Sequence, residues 1–424
     1  MNERKYQGYI SVLREELLPA MGCTEPIAVA YASSLAREAL GALPERVDIS
    51  VSGNILKNVK SVIVPNTGGL KGVAAAAAAG IIAGKADKKL QALEEVTLDE
   101  RNKIAEYLKT CSFKINHAQS GCVFDICIKA FAGEHSSFVR IEGHHTNVVK
   151  VEKDGKKLIS GSEIYEADSK LTDRSILNVK DITEFADTVN IKDIDELISK
   201  QIEYNTAIAE EGLNNDYGAR VGKILIKAFG NGVHNLAKAT AAAGSDARMN
   251  GCSLPVVIVS GSGNQGMTSS LPVVVYAKHL NVSNEKLIRA VALSDLVTVH
   301  LKTGIGRLSA YCGAVSAGAG AGAGICYLYG GSYEDIAHTI VNALAIDSGL
   351  ICDGAKSSCA AKIAAAVDAG LTGMEMCRSG SGFQGGDGIL ESGVEKTIDN
   401  VGDLARIGMK ETDEEIIRIM IKSL

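Results

Sequence analysis

Two stretches of very small residues constrain the fold of this chain more than anything else in it: VAAAAAAGIIAG at 73–84 and CGAVSAGAGAGAGICYLYGG at 312–331. The first is too short to cross a bilayer, and the Gly, Ala and Ser of the second give little transfer energy compared with Leu or Ile. Both read as buried helices packed at short range, and no membrane partner is expected. The composition agrees, with 4% aromatic residues, no Trp and 45 glycines. A core so poor in rings must be filled by Ala, Val, Ile and Leu, and small side chains let helices approach closely. The net charge of −6 is spread along the chain, with no basic stripe among aromatics, so nucleic acid is not an expected partner. The N-terminal segment MNERKYQGYISVLREELLPA carries charges throughout and lacks an uninterrupted apolar signal core, so the expected compartment is the cytoplasm.

Apolar residues at Tyr9, Ile10, Val12, Leu13, Leu17 and Leu18 fall at helical spacing over 6–20. Gly22 and Pro26 then punctuate the chain, and Thr24 is placed to cap a second helix through IAVAYASSLAREALG. Gly22, Cys23, Thr24 and Glu25 thereby stand beside helix N-terminal amides. From 45 the pattern changes. RVDISVSG (46–53), SVIVP (61–65), SFKIN (112–116), CVFDICIKAF (122–131) and SFVRIEG (137–143) have strand character, and Asp154-Gly155 marks a hairpin turn. Helical patterns lie between them at GGLKGVAAAAAAGIIAG and LDERNKIAEYLK, and dominate from about 192 onward. The expected fold is α+β: a large, mainly helical domain made of 1–44 and 192–424, interrupted by a smaller α/β insert at 45–191 with an antiparallel-leaning sheet.

Gly-rich joints at GSGNQG (261–266), KTGIG (302–306) and GSGFQGGDG (380–388) have neither the lysine and hydroxyl of a phosphate loop nor the strand-then-helix context of a dinucleotide fingerprint. They read as close-approach turns. Ten cysteines in a chain of this size are too few for a dense disulfide framework. Reduced thiols are expected, and those with a chemical role should act through metal or thiolate. Cys312 follows Tyr311, while Cys352 and Cys359 lie in GLICDGAKSSCAAK. Their spacing does not distinguish ligands from small core residues. Their context adds something, because a loop with Asp353, Gly354 and Lys356 and the start of a helix both favour the ionised thiol. Cys111, Cys122, Cys127, Cys252, Cys326 and Cys377 read as structural.

GCTEPIAVAYAS (22–33), the GN-x-x-KN stretch (53–58), VPNTGGLKG (65–72), SGSGNQG (260–266) and ICDGAKSSCAAK (351–362) occur in one order along nearly the whole chain. Together they resemble the L-cysteine desulfidase family, which is in turn similar to the iron–sulfur-dependent L-serine dehydratases. In those dehydratases a first cluster cysteine precedes a close pair, a pattern that Cys312, Cys352 and Cys359 match with a tighter pair. The resemblance implies a [4Fe–4S] cluster held by these three thiolates. One iron is then left open as a Lewis acid for the leaving heteroatom, and a soft iron suits sulfur. The implied reaction takes L-cysteine to sulfide and aminoacrylate, which hydrolyses to pyruvate and ammonia. L-Serine or a related hydroxy amino acid is the alternative substrate, and a cluster-bearing sensor without turnover is the alternative class. Dehydratases of this type also carry a cysteine near the C-terminus that caps the fourth iron; no cysteine follows Cys377 here, so no such cap is expected.

Elimination also needs a base and groups for the carboxylate and amine. The resemblance brings Cys23 close to the cluster, as base, sulfur partner or ligand, against the alternative of a buried thiol at a helix start. Thr24, Glu25, Asn54, Lys57, Asn66, Thr67 and Gly68 are the expected substrate-positioning groups, and Lys57 reads equally well as an exposed lysine. Of His144 and His145, adjacent on a strand end, at most one faces the site, and His145 is the candidate. The expected partner is a small amino acid, with a homodimer among the assemblies the sequence allows.

Overall fold

The computed structural model describes residues 1–118, 120–160, 171–306 and 309–422. Both small-residue stretches form buried helices, α4 (Val73–Ala83) and α12 (Gly313–Leu328). The contacts explain the composition. A Cβ on Gly80 would lie 2.0 Å from the carbonyl oxygen of Ala30 in α2 (Thr24–Leu40). One on Gly318 would lie 2.2 Å from that of Ala366 in α14 (Cys359–Arg378). Only glycine lets these backbones meet. Among the described residues no helix is long and apolar enough to cross a membrane.

The architecture is α+β. Strands β2 (Arg46–Val51), β3 (Ser112–His117), β4 (Asp125–Ala132), β5 (His135–Glu142), β6 (Val148–Lys153) and β7 (Lys156–Ser160) form a sheet in the order β3-β2-β4-β5-β6-β7. Only the β2–β3 pair is parallel. Its crossover carries α3 (Gly53–Val59), α4 and α5 (Leu98–Thr110), as a parallel connection requires. Val47, Ile49 and Val51 are fully buried and pair with Ala130, Ile128 and Ile126, so one register puts these six apolar side chains on the covered face. Asp154 and Gly155 turn the last hairpin with φ of 49° and 75°. Helix α2 lies across β4, β5 and β6, so an element preceding residue 45 covers the sheet, while α6 (Val179–Thr188) lies against the helical part.

In that part, α7 (Asp195–Asn214), α8 (Val221–Phe229), α9 (Val233–Met249), α10 (Gly263–Leu280), α11 (Asn284–Ile305), α13 (Tyr333–Ile346) and α15 (Val394–Asp403) surround or flank α12 and α14. Several expectations fail locally. Cys23, not Thr24, is the N-cap of α2, and KTGIG falls in the last turn of α11 rather than in a joint between helices. The first helix, α1 (Glu3–Glu16), stops short of residue 20, and Pro19–Met21 forms β1, paired antiparallel with β8 (Pro255–Val257). SVIVP contributes only a bridge between Ile63 and Lys71, because the chain turns back through left-handed backbone at Asn66, Gly68 and Gly69. The β1–β8 ribbon, small as it is, carries residues 22–25 and 258–265 to the same place.

Candidate active site

Two loops are laced together by an antiparallel bridge between Tyr311 and Ile351, made by the amide of Cys312 donating to Leu350 at 2.9 Å and that of Cys352 to Ala310 at 2.6 Å. This brings together Cys312 and Cys352, forty positions apart in sequence. Cys359 follows as the first residue of α14, its thiol 3.7 Å from the Gly354 carbonyl. Cys312 is the N-cap of α12 and Cys23 the N-cap of α2, so three of the four thiols sit at helix starts, where amides and dipole favour negative charge. All four line one cavity of about 110 Å³, with Glu25, Lys57, Asn58, Phe124, His145, Arg248, Asn264, Gln265 and Lys302 in its wall.

The electrostatics follow from burial and neighbours. Hydrogen bonding between the Cys312 and Cys352 thiols raises Cys312 well above an ordinary thiol and lowers Cys352, which Lys57 and Lys302 lower further. Burial raises Cys359, partly offset by the Lys356 amide and ammonium. Burial also pushes Cys23 far up, and the neighbouring Glu25 adds to this, so Cys23 is a neutral thiol; it donates to Glu25 at 3.6 Å. Lys302 is pushed down to about 8 by burial, against the pull of the Cys352 and Cys312 thiols. Lys57, also buried, contacts Asp413 of α16 (Lys410–Ile421) at 2.5 Å and the Cys352 carbonyl at 3.3 Å. Burial alone would raise the Glu25 carboxyl, but His145 and Arg248 hold it below the usual range. His145 stands 3.9 Å from Glu25, an electrostatic contact too long for a hydrogen bond, and packs edge-on against Phe124 at 4.8 Å.

Cys23, Glu25, Lys57, His145, Cys312, Cys352 and Cys359 therefore gather at one cavity. Other expected site residues do not reach it. Thr24 stands behind the wall, donating to Glu25 and to the Gly261 carbonyl at 3.1 Å. Asn54 donates to Asp413 and faces a neighbouring groove. Asn66, Thr67 and Gly68 line a separate polar pocket beside Arg101, because the left-handed turn at 66–69 carries them away; Asn66 donates to the Leu93 and Glu94 carbonyls and Thr67 to that of Val64. His144 and His145 are not at a strand end, contrary to expectation: β5 stops at Glu142, and both lie in the turn beyond it. Sequence reasoning missed Arg248, Gln265 and Lys302. The available signal was a lone cation in each of two otherwise small or apolar helical stretches, ATAAAGSDARM and LVTVHLK. Gln265 belongs to GSGNQG, which reads as a turn by itself.

Among the described residues no three His, Cys, Asp or Glu side chains are close enough to hold a single metal ion. A cubane is bound one thiolate per iron, so its ligands need to border a common cavity rather than meet at a point. The donor set fits that requirement: Cys312, Cys352 and Cys359 border this one, with two buried lysines to balance anionic charge.

An α+β frame enclosing a cavity lined with thiols, basic groups and a carboxylate has the form of a small-molecule site. Residues 87–418 match the serine dehydratase alpha chain family. The chain is 57% identical to the UPF0597 protein of Desulfitobacterium hafniense over 99% of its own length and 97% of that protein's. It is 51% identical to a UPF0597 protein of Lachnoclostridium phytofermentans, covering 98% of this chain and 100% of that one. For a UPF0597 protein of Treponema denticola the identity is 47%, over 100% and 99%. The chain belongs to the serine dehydratase alpha chain family, and so to lyase-type enzymes.

Proposed function

We propose that this protein is an iron–sulfur-dependent lyase that eliminates sulfide from L-cysteine, yielding pyruvate, ammonia and sulfide. The observation that carries the reading is the gathering of Cys312, Cys352 and Cys359 on one buried cavity beside Lys57 and Lys302. A [4Fe–4S] cluster on these three residues would supply Lewis acidity toward the departing heteroatom. The protein's own groups supply the rest. Lys302 and Lys57 offset the anionic charge of the thiolates, which desolvation would otherwise make costly. Cys23, kept neutral, is a thiol donor rather than a base, and its link to Glu25 fixes its orientation. The Phe124 ring in the wall and the enclosure of the cavity restrict water at the site.

The family match favours a second reading, water as leaving group from L-serine by the same machinery. Anaerobically reconstituted protein given each amino acid, with sulfide and pyruvate assayed, separates the two. Sulfide from cysteine without turnover of serine is the expected result. Pyruvate from serine alone supports the second reading, and turnover of neither overturns both.

A further inference from the structure

Four basic side chains line the cavity, and three are accounted for. Lys57 is paired with Asp413, Lys302 stands among the thiols, and His145 faces Glu25. Arg248, on the last turn of α9, is 2% exposed and the largest fully buried side chain among the described residues. A guanidinium carries five N–H donors. Among the described residues only Nη1 has an acceptor, Asn264 Oδ1 at 3.1 Å; Nε is buried with none, and no carboxylate lies within 4.0 Å. Glu25 is close enough to feel the charge, but its oxygens are taken by Thr24, Asn58 and Cys23. A buried arginine without an ion-pair partner is costly to keep, unless an anion completes it.

The surroundings are shaped for that anion. A Cβ on Gly263 would lie 2.5 Å from Arg248 Nε, so the guanidinium rests directly on the first residue of α10. Ser262, the N-cap there, makes no side-chain cap hydrogen bond, which leaves the first amides of α10 beside the same cavity wall. Gln265, on that first turn, packs over Gly313, next to Cys312, so its side-chain amide nitrogen is the group that can donate to an anion at this wall.

We infer that Arg248, with Gln265 and the start of α10, binds the carboxylate of the substrate. The inference rests on the proposed function only in placing the substrate in this cavity, and it makes a free carboxylate the feature the site demands. An arginine fork matches a carboxylate in two parallel hydrogen bonds. Gripped there, the substrate is held within the same wall as Cys312, since Gln265 bridges the two.

The test is calorimetric binding of L-alanine and L-alaninamide to the anaerobic holoprotein. Alanine has no group to eliminate, so binding is read without turnover, and the amide lacks the charge and has an NH2 donor in place of one acceptor oxygen. Wild type is expected to bind alanine at least roughly 10-fold more tightly than the amide, the size of a lost hydrogen bond to a charged group. In Arg248→Gln the acid-to-amide ratio should fall close to one, and in Arg248→Lys it should lie between. The ratio within one protein does not depend on the folded fraction, so partial misfolding leaves it readable, and Arg248→Lys serves if Arg248→Gln fails to fold. An unchanged ratio in the variants overturns the inference, as does wild type that binds both equally or neither. Turnover of cysteine or serine alongside an unchanged ratio would leave the lyase reading standing. A carboxylate-selective cavity without turnover would leave Arg248 standing and the lyase reading not.

Discussion

Lys302 is buried with no hydrogen-bond acceptor or carboxylate among the described residues, and only the thiols of Cys312 and Cys352 draw its charge. An isolated buried ammonium destabilises a protein unless an anion is present. Replacing it with the similar-sized, neutral Met should therefore leave the cluster-free protein melting no lower than wild type, while reducing the iron it retains on anaerobic reconstitution. Loss of stability with iron retained would contradict the charge-balancing role. Legibility at this scale was uneven. Cys312, Cys352, Cys359 and Cys23 stand out through the family resemblance of the motifs around them, since spacing alone does not separate a ligand from a small core thiol. Arg248 and Lys302 could not, because whether a lone cation on a helix points inward depends on neighbours far along the chain. Asn66, Thr67 and Gly68 looked equally suitable, and the left-handed turn that carries them away is a backbone property.

The site is assembled by element ends more than by element faces. Helices α2, α10, α12 and α14 all begin at the cavity, and the loop from 350 to 358 closes it. Gly354 makes that loop possible: its φ is +94°, and a Cβ there would lie 2.2 Å from the Lys57 carbonyl. Gly354→Ala should push the loop off α3, lowering both iron content and melting temperature; unchanged values would show that the loop tolerates the shift. Close helix packing makes a second demand. Gly318→Val meets the Ala366 backbone, which cannot yield as a flexible side chain would. It should destabilise the protein by about 3 kcal/mol in chemical denaturation and reduce iron as well, since α12 and α14 carry Cys312 and Cys359 at their starts. The helical and strand elements were largely legible from periodicity. The β1–β8 ribbon was not, because three-residue strands leave too few positions for a pattern, and SVIVP misled because β-branched composition describes a residue's preference and not its pairing.

For the molecule as a whole, buried acids couple stability to pH, and among Asp246, Asp347 and Asp295 the last is pushed up furthest. Asp295 of α11 is fully buried; burial pushes its carboxyl up to about 7, against hydrogen bonds from Gln201 at 3.0 Å and Ser269 at 2.7 Å. Unfolded, an aspartate titrates near 3.9. Between about pH 4 and 7 the folded state binds the extra proton, so stability falls as pH rises through that window, then levels off. Asp295→Asn keeps the acceptor and removes the titration. Its stability relative to wild type should grow from pH 4 to 7, and parallel profiles would contradict the assignment. The α+β class and the mixed, mostly antiparallel sheet could be read from the order of patterns along the chain. That α2 would cover the sheet could not, since its apolar face fits either a sheet or a helix bundle equally well.

Three thiols holding one inorganic cluster are the central requirement of the proposed chemistry. Iron and acid-labile sulfide should be quantified on anaerobically purified wild type beside Cys312→Ala, Cys352→Ala and Cys359→Ala, with folding checked by circular dichroism. Wild type is predicted to be brown with roughly four irons and four sulfides per chain, and each folded variant to lose most of both. Wild type without iron after reconstitution, or variants that retain the full complement, would contradict it.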